Sequence, residues 1–199
     1  LFMGEQLYNM SNSKIELQNF KIVMLFKNTD HSIEKIYQNI VEISRSKFFY
    51  IDYELDDSFE TRFDLIIFHA FMIFYFYKSK NINNSSLSQM LFDYMFNDFE
   101  NNLREMGFGD IAVNKKMKLF IRAFYGRLSQ YSKSLDLLEK EDDKSLLEQT
   151  ILNNIFKGNS SNKKNVSMFA KYIINNIKKF QSMSEKENID CNFEFMKFG

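Results

Sequence analysis

Two groups of acids have the spacing of metal ligands. Asp56-Asp57 is followed by Glu60, and Asn97-Asp98 is followed by Glu105. Carboxylates so placed on a helix can hold magnesium and, through it, a diphosphate. The groups lie only about 40 residues apart, and Asn101 stands where the second motif needs a hydroxyl or glycine. Asp57-Ser58-Phe59-Glu60 also has the spacing of a helix capping box, and that reading is preferred. His69 and His31 are the two histidines and Cys191 is the one cysteine, too few for a zinc site. His69 sits in an apolar run and reads as a core histidine bonded to a neighbour, with Arg62 on the same face. Gly107 and Gly109 lack the third glycine and the preceding strand that a dinucleotide loop requires. No nucleophile–base set is present. The expectation is a protein without a catalytic centre, metal or cofactor.

The informative charges lie elsewhere. At 100° per residue, Asp98 falls between Leu87, Leu91, Tyr94 and Met95, and Glu105 points the same way. Asp93, Asn97, Glu100 and Arg104 take the polar side. A buried carboxylate needs a partner. Arg62, Arg122 and Arg127 are the expected ones, in a network joining three successive helices. Lysine outnumbers arginine 21 to 5 in a chain rich in residues with AT-rich codons. Arginine that survives such a bias suggests a need for its planar fork or its permanent charge. Glycine, alanine, arginine and proline total 15, and eight of these fall between Arg104 and Arg127.

One helix in that stretch has two faces. Met117, Phe120, Ile121, Phe124, Leu128, Tyr131 and Leu135 form a core stripe. Lys115, Lys118, Arg122, Gly126 and Lys133 form the opposite face. Glycine inside a helix costs about 1 kcal/mol relative to alanine. Close approach of another backbone at Gly126 would account for it, and the face reads as a docking surface.

These groups must be carried by helices. A chain of 199 residues with 45% hydrophobic and 17% aromatic residues can fill one core. Its formal net charge is zero, which argues against bulk attraction to nucleic acid. Residues 1–30 lack a sustained pattern and read as a loose extension with no signal peptide; residues 31–199 read as one helical domain. The expected fold is all-α, a bundle of six to eight helices around a central apolar helix. That central helix holds the run Leu65 to Tyr77, 13 residues, short of the roughly 20 that span a bilayer. Helices are expected from Ser32 to Lys47, after Asp57, from a second capping box at Ser86-Leu87-Ser88-Gln89 to Met106, from Ala112 to Leu138, to Phe156, and from Val166 to Met183. Gly107 is expected as a left-handed helix stop. Phe193, Phe195 and Phe198 are expected to dock on the bundle.

The block Leu87 to Asp98, followed by Leu103-Arg104-Glu105-Met106-Gly107-Phe108-Gly109-Asp110, resembles the ubiquinol–cytochrome c chaperone family. So do Val113, Lys115-Lys116-Met117-Lys118, Ala123-Phe124-Tyr125-Gly126-Arg127 and Tyr131, and upstream Arg62-Phe63 and Leu65 with His69. The resemblance covers residues 30–156 well and the C-terminal helix loosely. It implies an assembly factor for respiratory complex III that binds newly made cytochrome b. Mitochondrial members act with a small partner protein near the ribosomal exit. With no transit peptide visible, the expected site is the cytoplasm at the bacterial inner membrane, or the mitochondrial matrix if the chain is truncated. A generic helical adaptor with a soluble partner is the competing expectation.

Overall fold

The computed structural model describes residues 31–79, 85–159, 163–183 and 193–198. The extension expected over 1–30 lies outside them. The described residues contain helices and no strand. The elements are α1 (31–44), α2 (Lys47–Ile51), α3 (Phe59–Ser79), α4 (Ser85–Glu105), α5 (Asp110–Glu141), α6 (Ser145–Asn154) and α7 (Lys163–Gln181). The all-α bundle is as the sequence predicts. The first helix stops at 44, and Phe48 to Ile51 form a separate short connector.

α3 is the centre. From Phe63 to Tyr77 every residue except Phe74 is buried, because no face of its sequence is polar enough to meet water. α7 and α5 pack on it, α5 also meets α4 and α6, and α6 leans on α7. The contacts are largely aromatic. Phe63 meets Phe99 and Phe120 at 5.1 and 4.6 Å, and Phe68 and Phe71 meet Tyr131 at 5.9 and 5.1 Å. Each large side chain so buried contributes about 1.5–3 kcal/mol.

The caps differ from expectation in detail. Ser58, not Asp57, caps α3: the Thr61 amide donates to Ser58 Oγ at 3.2 Å. Asp57 is held instead by Arg62, whose Nε and Nη2 donate to its two oxygens at 2.7 and 2.9 Å. α4 opens at Ser85, one residue ahead of the expected cap at Ser86, and the Gln89 side-chain amide donates forward to Asp93 at 2.8 Å. Gly107 ends α4 with φ of 85°. The Gly107 amide donates to Arg104 O at 2.9 Å and the Phe108 amide to Leu103 O at 3.2 Å. That pair of bonds is a Schellman stop, which favours glycine because its left-handed backbone burdens any Cβ.

Candidate docking face

The Arg–Asp network expected around Asp98 does not form among the described residues; the buried Arg–Asp tie lies at a different acid. Asp64, on α3, is 3% exposed. Arg127 of α5 reaches its Oδ1 at 2.5 Å, and Lys157, just past α6, pairs with its Oδ2. Three regions of the chain are thus tied through one carboxylate. Burial pushes that carboxyl above its ordinary range, and Arg127 and Lys157 pull the other way. Arg127 also lies 5.5 Å from the Phe63 ring.

Asp98 is not in that network. The Tyr37 hydroxyl of α1 donates to its Oδ2 at 2.6 Å, so a neutral phenol meets the half-buried carboxylate. Burial, then this bond, raises the Tyr37 hydroxyl above its usual range. Glu105 is exposed, as are Asp93 and Arg122. Arg62 is held by Asp57 outside the core. The two acidic groups of the sequence therefore have separate structural partners. Among the described residues no group of three or more His, Cys, Asp or Glu side chains could hold a metal ion.

His69 is fully buried. Its Nδ1 lies 2.8 Å from Leu65 O and 3.0 Å from Ser44 Oγ. A carbonyl only accepts, so Nδ1 carries the hydrogen. Burial lowers its pKa to about 4. Arg62, seven residues earlier, has its fork on Asp57 and not on His69.

At the glycine corner between α4 and α5, Arg104 is the clasp. It pairs with Glu100 at 2.7 Å on its own helix and with Asp110 at 2.5 Å across the turn. Asp110 opens α5, where the helix dipole favours an acid. Gly109 precedes it with an ordinary φ of −72° and nothing near a hypothetical Cβ.

From this corner α5 turns one stripe outward. Ile111, Lys115, Lys118, Leu119, Arg122, Tyr125, Gly126 and Lys133 are all exposed, and Ile111 reaches 88%. Apart from the adjacent pairs 118/119 and 125/126, successive members stand three, four or seven residues apart, which keeps them on one helix face. Residues 111–135 hold six cations and no acid. Arg127 faces inward to Asp64, and Lys116 lies 4.7 Å over the Phe108 ring. The stripe is a local basic surface with apolar insertions, on a chain of zero net charge. At Gly126 nothing lies within 4 Å of an added Cβ, so packing within the chain does not require this glycine.

Sequence reasoning placed Lys115, Lys118, Arg122, Gly126 and Lys133 together, and the structure does too. It missed Asp64, which hides between Phe63 and Leu65 in the apolar run. An acid inside such a run was itself the signal. It also assigned Ile111, Leu119 and Tyr125 to neither face of the helix.

The described residues form an all-helical bundle whose glycine corner is clasped by Arg104. Residues 52–195 match the family described as ubiquinol–cytochrome C chaperone, and the chain belongs to that family. It is similar to the crystal structure of the Cbp3 homolog from Brucella abortus, at 26% sequence identity and a TM-score of 0.77, covering 92% of this chain and 97% of that one. No curated protein sequence matches it.

Proposed function

We propose that the chain holds newly made cytochrome b during assembly of respiratory complex III, acting by binding and without a reaction of its own. The observation that carries this reading is the family match over residues 52–195, which contains the whole glycine corner and α5. No helix among the described residues is long and apolar enough to cross a membrane. The proposed place of action is the membrane surface, where a nascent subunit emerges.

The outward stripe of α5 is the proposed docking face. Lys115, Lys118, Arg122 and Lys133 favour an acidic segment, and Ile111, Leu119 and Tyr125 give it apolar grip. Gly126 leaves room for a partner backbone to approach from outside.

The test is affinity capture from membranes with the wild type and with Lys118→Glu/Arg122→Glu. The wild type should recover cytochrome b. The reversed variant should lose it while keeping its helical circular dichroism. Retained capture would exclude this face. Normal complex III after loss of the gene would overturn the client assignment. Recovery of a soluble partner alone would favour the adaptor reading.

A further inference from the structure

Residues 193–198 lie without regular secondary structure in a groove floored by α3 and walled by α1, α2 and α7. The way the segment is held is unlike the rest of the core. Its main chain is read by three side chains. Asn39 of α1 donates to Phe193 O at 3.4 Å, Lys179 of α7 donates to Glu194 O at 2.8 Å, and the Met196 amide donates to Asn176 Oδ1 at 2.8 Å. Contacts to main-chain atoms do not depend on the bound sequence, and recognition of extended peptides commonly uses them. Asn176 is fully buried, and its own amide donates to Tyr172 O at 2.9 Å. With the segment in place, the carbonyl oxygen of this buried amide is satisfied by the Met196 main chain.

Specificity comes from three aromatic sites. Phe193 is fully buried beside Phe76, Tyr77 and Phe180, at 5.5, 5.6 and 5.2 Å. Phe195 meets the His69 ring edge-on at 5.1 Å. Phe198 sits among Phe49, Tyr53, Phe169 and Tyr172, at 5.3, 5.2, 4.8 and 4.4 Å. Yet Phe195 and Phe198 remain partly exposed, and a cleft of about 350 Å³ runs beside Phe193 and Phe195 along Asn39 and Ile43. Under Phe195, His69 Nε2 is buried and has no hydrogen-bond partner among the described residues. The segment fills the groove without satisfying everything in it.

We infer that this groove is a peptide-binding site, filled in cis by residues 193–198, whose trans ligand is an extended segment with aromatic side chains at the spacing of Phe193, Phe195 and Phe198. Assigning that ligand to the client rests on the chaperone reading; exchange of peptides in the groove does not. The cis segment is then a tethered competitor, and its high effective concentration keeps the groove closed to weak ligands.

The test uses the full chain and a fluorescently labelled peptide of residues 193–198, followed by fluorescence polarisation. Phe195→Ala/Phe198→Ala weakens the cis segment and should bind the peptide at least about tenfold more tightly than the wild type does. Adding Asn176→Ala should remove that binding. If the double variant keeps its helical spectrum and binds no peptide, the inference fails. Should that variant not fold, hydrogen exchange on the wild type decides. A Met196 amide that exchanges through local opening supports displacement, and one that exchanges only with global unfolding overturns it. Peptide exchange without capture of cytochrome b would overturn the client reading and leave the groove standing.

Discussion

Arg127 and Arg104 both tie α5 to a neighbouring segment, in opposite surroundings. The Arg127 side chain is 20% exposed and its Asp64 partner 3%. The Arg104 side chain is 44% exposed and its Asp110 partner 79%. Charges close together inside a protein interact strongly, but removing them from water is costly, and stranding one of them is worse. Charges at the surface gain little, because water and salt already screen them. The raised Asp64 carboxyl shows that desolvation dominates at the buried tie. The two arginines therefore do different work. Arg127 ties the core together at one buried carboxylate, and Arg104 bridges an accessible corner.

The largest expected effect follows from breaking the buried tie. Asp64→Ala should cost about 3–5 kcal/mol, chiefly by stranding Arg127. Thermal denaturation should then show a Tm lower by roughly 2–4 °C for each kcal/mol, the scaling for a chain of this size. Adding Arg127→Met should recover much of the loss, since a desolvated pair replaced by apolar groups is often neutral. A loss below about 1 kcal/mol would put Asp64 on the same footing as the surface pairs.

Next comes pH. The pKa of folded His69 is about 4, below the 6.5 of the free side chain, because burial disfavours the imidazolium. As pH falls below 6.5 the unfolded chain takes up this proton and the folded chain does not. Stability that is complete above pH 6.5 should decline toward pH 4, by about 3 kcal/mol in all. Urea denaturation across that range would show it, and His69→Phe should flatten this part of the profile. The guanidinium of Arg104 does not titrate there.

The corner itself holds a finer contrast. Gly107→Ala forces a Cβ onto a φ of 85° and should cost roughly 1–2 kcal/mol. Gly109→Ala meets an ordinary φ and open space, so its denaturation midpoint should match the wild type. Equal losses would mean that the left-handed turn does not set the corner.

What could be read beforehand divides along the same line. The central helix, the Schellman glycine, the two-faced α5 and the docked phenylalanines follow from local rules, periodicity and left-handed stops, which sequence displays directly. The pairing of the acids does not. Helical phase correctly put Asp98 near the core, but nothing local says that Tyr37, 61 residues away, would meet it. Arginine scarcity offered Arg62, Arg122 and Arg127 as partners for Asp98, but Arg62 pairs with Asp57 and Arg127 with Asp64, a pairing set by how α3 crosses α5. Ile111, Leu119 and Tyr125 were left off both faces of α5, although their helical phase puts them beside Lys115, Lys118 and Arg122.

Only a small change in stability is expected at Arg104, where the consequence for binding is most instructive. Arg104→Ala removes two exposed pairs and should cost less than about 1 kcal/mol. High salt should erase even that difference, measured as converging denaturation midpoints at 1 M sodium chloride. Arg104 nevertheless pins Asp110 and so the first turn of α5, one residue before Ile111, where the proposed docking face is most exposed. Capture of cytochrome b should fall well beyond what the stability change explains. Arg104→Lys keeps a charge but loses the fork that spans Glu100 and Asp110 together. It should behave like the alanine variant in capture and like the wild type in stability. If it captures as well as the wild type, charge alone suffices at the corner and the clasp geometry has no part in binding.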